Sequence, residues 1–233
     1  MRGYWVDIIA VSFFAIEWLT YAITLEHTAY GRNGLSARMN IYREVWVRNM
    51  LRREARMVDM QIMASLQNGT AFFASTSLFA IGGALALLRA TNDALAVLGA
   101  LPIDISPSPA LWETKCVGLI LIFIYAFFKF AWSYRLFNYF AIMVGAAPPP
   151  AAKDTPAAKA FAHRAARLCE DAGRHFNRGQ RAFFFALGYL GWLLGPLPLA
   201  LTTTGVVIVM WRRQFSSQSS KAFAADIDAT PKS

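Results

Sequence analysis

Apolar residues along this chain gather into long blocks, and charged residues gather between the blocks. The first block, about 4–25, is interrupted only by Asp7 and Glu17. It has the length of about 20 residues that a helix needs to cross a bilayer. A second block covers about 70–88, with Thr70, Ser75, Thr76 and Ser77 in its first half and Gly82, Gly83, Ala84 and Ala86 in its second. Gly82 and Ala86 form a small-xxx-small pair, which permits close helix contact where no hydrophobic force drives it. A third block runs from about 112 to 144, longer than a bilayer needs. It predicts a span over 112–132 that continues as helix past Arg135 and Asn138, until Gly145-Ala146-Ala147-Pro148-Pro149-Pro150 stops it. The fourth block, 182–211, contains Gly191 and Gly195 in a GxxxG spacing, followed by Pro196 and Pro198. Gly191 and Gly195 predict a helix contact, and the prolines predict a kink or a break. A single kinked span is the favoured reading of this block, and a re-entrant hairpin is the alternative.

The segments between the blocks have a different period. Residues 31–68 interleave Arg32, Arg38, Arg43, Arg48, Arg52, Arg53 and Arg56 with Met39, Tyr42, Trp46, Met50 and Met57. Those offsets predict an amphipathic helix, at the membrane surface or packed on the protein itself. Residues 151–181 repeat the design, with Phe161, Ala165, Leu168, Ala172 and Phe176 at spacings of three and four among Lys153, Lys159, Arg164, Arg167, Arg174, Arg178 and Arg181. Residues 89–111 read as a loop, because Pro102, Pro107 and Pro109 forbid a continuous helix. The tail 216–233 is rich in Ser, Ala and Lys and reads as disordered.

Composition sharpens this picture. Hydrophobic residues make up 56% and charged residues 16%, where a soluble domain has about 45–50% and about 25%. The net charge of +9 lies beside the apolar blocks, which points to anionic lipid and away from nucleic acid. The positive-inside rule places 31–68 and 146–181 in the cytoplasm and the N-terminus outside. Arg212 and Arg213 oppose that order if the fourth block crosses once. No small-residue cleavage site follows the first block, so it reads as a retained span and not a signal peptide. Cys116 and Cys169 form no CxxC pair and read as apolar fillers.

Two charges stand out inside the blocks. Glu17 and Lys129 fall at similar depth when counted from the outer ends of the first and third spans, so they are expected to pair. Such a pair either fixes helix register or forms part of a proton or ion relay. The histidines His27, His163 and His175 have no metal-ligand spacing, and no HExxH, P-loop, GxGxxG or GxSxG occurs. No enzyme, metal or cofactor is therefore expected.

Three stretches carry a family resemblance. They are Trp46-Val47-Arg48 with Asp59-Met60-Gln61 and Phe72-Phe73-Ala74-Ser75-Thr76; Phe128-Lys129-Phe130-Ala131-Trp132 with Arg135, Asn138-Tyr139 and Gly145-Ala146-Ala147-Pro148; and His175-Phe176-Asn177-Arg178-Gly179 with Arg181. Over about 4–217 the chain resembles the bacterial branch of the membrane family called domain of unknown function 599. The resemblance implies an integral membrane protein of about four spans and brings no established catalytic residue. It draws attention to Lys129, Arg135, Asn138, Asn177 and Arg178. The expectation is an all-α membrane bundle over 1–215, with about four transmembrane helices and two basic amphipathic helices, in the bacterial inner membrane. A homo-oligomeric channel or transporter subunit is the expected role, and a structural or assembly partner of other membrane subunits is the alternative.

Overall fold

The computed structural model describes residues 2–32, 34–100 and 108–216, and among them every regular element is helical. In chain order these are α1 (Arg2–His27), α2 (Ala29–Arg32), α3 (Leu35–Met50), α4 (Met57–Arg89), α5 (Thr91–Gly99) and α6 (Pro109–Gly145). A 3-10 turn at Pro150–Ala152 leads to α7 (Pro156–Tyr189), α8 (Gly191–Leu194), α9 (Pro196–Trp211) and a π turn at Arg212–Ser216. Among the described residues three helices are long and apolar enough to cross a membrane: α1 from Tyr4, α4 and α6. The chain divides into two compact units, one of residues 1–38, 80–123 and 183–233, the other of 39–79 and 124–182. Helices α4, α6 and α7 give a segment to each.

Several expected boundaries move. The basic segment 31–68 is not one helix: turn hydrogen bonds from Arg52 N to Asn49 O and from Arg53 N to Met50 O end α3, and α4 starts at Met57, well before Thr70. The expected loop 89–111 contains α5, because Leu98, Ala94 and Leu95 have an apolar surface to cover on Trp112 and Cys116. Pro109 opens α6 instead of blocking it, since the first helical residue needs no N–H. Pro102 and Pro107 lie outside the described residues, as does the tail beyond Ser216.

The first unit is built on an aromatic core. Phe14 on α1 meets Phe185 and Tyr189 of α7 edge-on at 5.8 and 5.3 Å, and Trp18 stacks on Phe185 at 5.2 Å. Leu119, Ile122 and Phe123 of α6, Ala84 of α4 and Leu199 of α9 close the cluster. Residues 14 to 21 of α1 thus climb past residues 189 to 185 of α7, so the two run antiparallel.

The expected fourth span, 182–211, is not one helix. Helix α7 runs through 182 to Tyr189, and the chain then turns back on itself. Gly195 adopts φ 136°, a conformation that side chains strain to reach. The Thr202 hydroxyl of α9 donates to the Gly188 carbonyl of α7 at 2.6 Å, and a Cβ on Gly191 would stand 2.7 Å from the Pro198 carbonyl oxygen. Contacts between residues nearly equidistant from the turn make α7 and α9 an antiparallel hairpin. The two glycines therefore do not form one helix face: Gly191 admits the returning arm and Gly195 makes the turn. Helix α9 then runs alongside α1, with Trp211 against Tyr21 at 6.4 Å, and Gln214 accepts from Ser36 at 3.5 Å.

The second unit packs by small residues. Ala158, Ala162, Ala165, Ala166, Cys169 and Ala172 bury one side of α7 against Val47 and Met50 of α3 and Phe137, Phe140 and Val144 of α6. The missing bulk lets α7 approach closely enough for Ser133 to donate to the Ala172 carbonyl at 2.8 Å. Lys159, His163, Arg164, Arg167 and Arg174 stay exposed on the same helix.

Candidate functional site

The first unit buries a charged cluster near the start of two apolar helices. Asp7 of α1 accepts from the Trp192 indole N–H at 2.6 Å. The Lys115 ammonium of α6 stands 3.9 Å from the same carboxylate oxygen and 5.5 Å from the centre of the Trp192 ring. Lys115 is 2% exposed. At 3.9 Å the contact is charge attraction, too long for a hydrogen bond. Trp192 reaches Asp7 because the chain reverses around it, and Gly118 of α6 leaves room for the Tyr189 hydroxyl one turn further on.

The second unit buries another carboxylate. Asp59, at the start of α4, accepts from the Trp46 indole N–H at 2.7 Å and from the Arg53 guanidinium. Arg56 donates to the carbonyls of Ala147 and Pro148 at 3.0 and 2.5 Å. Those carbonyls follow the end of α6, where helical partners run out and positive charge is favoured. Together the contacts tie the α3–α4 turn to the α6–α7 linker. Further along, Gln67 donates to Asn138 at 2.6 Å.

Two titratable groups of α7 have shifted equilibria. Burial lowers the pKa of His175, and the neighbouring charges of Lys129, Arg178 and Arg174 lower it further. Burial pushes the Cys169 thiol up to about 11, with Arg43 opposing and Glu170 adding to the rise. Cys169 is therefore a thiol at neutral pH and unreactive.

The residues expected to matter are spread over both units. Glu17 lies half-buried in the first unit, and Lys129 lies in the second with its ammonium 5.1 Å from the Tyr125 ring. Arg135 donates to the Tyr139 hydroxyl at 2.6 Å and covers the Trp132 ring. Asn138 holds Gln67, while Asn177 and Arg178 are half-buried on α7. Gly82 and Ala86 are exposed on α4, and a Cβ on Gly82 would meet nothing within 4 Å. Among the described residues no group of three or more His, Cys, Asp or Glu could hold a metal ion.

Sequence reasoning passed over Lys115, Trp192, Asp59 and Arg53. Lys115 lies only three residues into the span expected from 112, so its charge was counted with those of the loop beside it. The signal was available: once Pro109 is read as a helix start, Lys115 lies inside an apolar helix, one residue before Cys116.

Among the described residues these features define an all-helical protein with three helices compatible with membrane spans. The model of the family described as "Protein of unknown function, DUF599" matches residues 9–219, and the chain belongs to that family. Searches of curated proteins and of solved structures found no match.

Proposed function

We propose that the chain is a subunit of a homo-oligomeric channel or transporter in the inner membrane, with Asp7, Lys115 and Trp192 as its polar centre. The observation that carries this reading is Lys115, shielded from solvent at 2% exposure in an apolar helix and held opposite Asp7. Ionisable groups in such segments are costly and mark ion or proton paths. Assembly into several copies is supported by α4, of whose most apolar stretch only 11% is buried, against 39% in α6. The open stripe of Gly82, Gly83 and Ala86 suits a second helix better than lipid.

The orientation follows the basic segments, with the N-terminus outside and residues 31–68 and 146–181 in the cytoplasm. The hairpin supports this reading, because α9 returns Gln214 to Ser36 and so carries Arg212 and Arg213 back to the end where α3 begins. On this reading α7 and α9 enter and leave from the same side. Cysteine labelling tests it: Glu54→Cys, Lys159→Cys and Arg212→Cys should react from the cytoplasm, and Asp93→Cys from outside. Reaction of Arg212→Cys from outside would remove the re-entrant hairpin.

Liposomes holding only the purified protein should pass protons or monovalent ions down a gradient. Asp7→Asn and Lys115→Met should each stop that flux in protein that still has its native helical signal. The open α4 face also favours a second reading, an assembly partner for other membrane subunits. Absence of flux for every ion tried, with a stoichiometric partner in a native pull-down, would decide for the second.

A further inference from the structure

The second unit contains a cleft of about 360 Å³ that the polar centre of the first does not use. One wall comes from the end of α3 and the turn after it, with Arg48 and Arg52. The other comes from the α6–α7 linker and the first turns of α7, with Lys153, Lys159 and His163. Leu51 and Ala162, both buried, lie between them. Glu44 and Asp154 also reach the cleft, but Glu44 is engaged by Arg48 at 2.5 Å. Among the described residues no ion pair involves Arg52, Lys153 or Lys159.

Four cations face two carboxylates around one cavity, and the walls are not free to spread. Arg56 holds the linker through Ala147 and Pro148, and the Asp59–Arg53–Trp46 contacts hold the turn. Cations kept together in this way repel one another unless an anion sits among them. An arginine that can grip two oxygens, beside lysines that supply point charge, suits a phosphate. The volume is at the low end of ligand pockets, which run about 300–1,000 Å³. It suits a small phosphate ester and is tight for a nucleotide.

We propose that this cleft is a binding site for the phosphate group of a small phosphate ester, with Arg52, Lys153 and Lys159 as its cationic contacts. The same chemistry is presented by a phospholipid headgroup and by a soluble phosphate ester. A built cleft differs from a basic surface that attracts anionic lipid diffusely: it saturates, and it depends on which cation is removed. The site stands or falls independently of ion flux.

The test uses the full chain in phosphatidylcholine nanodiscs at constant ionic strength, followed by thermal unfolding. One arm adds glycerol 3-phosphate, and the other replaces part of the lipid with phosphatidylglycerol. A saturable rise in Tm is expected in at least one arm. A rise with glycerol 3-phosphate alone assigns a soluble ester, and a rise with phosphatidylglycerol alone, or with both, assigns the headgroup. Arg52→Gln and Lys159→Gln should each weaken the midpoint about tenfold, the scale of one charge-assisted hydrogen bond. Arg167→Gln, on α7 outside the cleft, should leave it unchanged. Lys153→Ala, in the linker, gives the same reading if either first variant folds poorly. No saturable rise in either arm overturns the proposal, and so does an Arg167→Gln variant that weakens binding as much as Arg52→Gln.

Discussion

In the first unit Asp7 accepts an indole N–H from Trp192 and faces Lys115; in the second Asp59 accepts an indole N–H from Trp46 and faces Arg53. The parts match, and the burial of the cation differs. Around Asp7 both partners are hidden, the lysine side chain at 2% and the carboxylate at 12% exposure, whereas around Asp59 the carboxylate is fully buried and the arginine side chain is 39% exposed. The first cluster pairs a lysine and an aspartate on two helices apolar enough to span a membrane. The second sits where helices turn and uses an arginine, which keeps its charge at any working pH. Similar polar parts thus form a buried lysine–aspartate pair between apolar helices in one unit and an arginine clamp at a helix turn in the other.

The largest effect should come from breaking the clamp. Arg53→Met leaves a fully buried carboxylate without its cation and should cost about 3–5 kcal/mol in thermal unfolding. A loss near zero would show that Trp46 alone supports Asp59 and would end the contrast. Next comes the hairpin. Gly191→Val pushes new atoms against Pro198 and Thr202 and should cost about 1–3 kcal/mol by overpacking. Gly83→Val meets nothing within 4 Å in the chain, so it should leave unfolding within about 1 kcal/mol of the parent. It should instead shift the oligomer distribution measured by native mass spectrometry.

The Asp7–Lys115 centre is examined by a double-mutant cycle. Asp7→Asn and Lys115→Met should each destabilise, and the double variant should recover more than about 0.5 kcal/mol of the summed loss. The same cycle on Glu17→Gln and Lys129→Met tests the pairing expected from their depths, and losses that add would separate those residues. The smallest effect is one of pH. His175 has its pKa lowered in the fold by burial and by Lys129, Arg178 and Arg174. Its contribution to stability is therefore intact above the ordinary imidazole value of about 6.5 and is lost as pH falls toward the lower folded value. His175→Asn should flatten the fall in Tm over that range, and an unchanged slope would assign it to other groups.

Block lengths and periods in the sequence determined that the chain is helical and that its basic segments lie between apolar ones; they suggested about four spans, and three helices of the described residues are long and apolar enough to be such spans. These are local properties, legible because a helix needs a certain length and a certain repeat. The sequence also marked Gly195, Pro196 and Pro198 as a break, but a break permits either a kink or a reversal. Only packing of Gly188 and Gly191 against α9 decided for reversal. Partner choice was beyond reach for the same reason. Asp7 lies 185 residues from Trp192, and no local rule joins two such residues until the hairpin has carried Trp192 back to α1. Residues 89–111 were misread because prolines were weighed as breakers, while the surface of Trp112 and Cys116 that α5 covers exists only after folding. The cleft shows the limit most clearly: each of its cations could be read in the sequence as part of a basic helix, yet their convergence depends on Arg56 reaching the carbonyls of Ala147 and Pro148, a long-range contact that tertiary structure alone supplies.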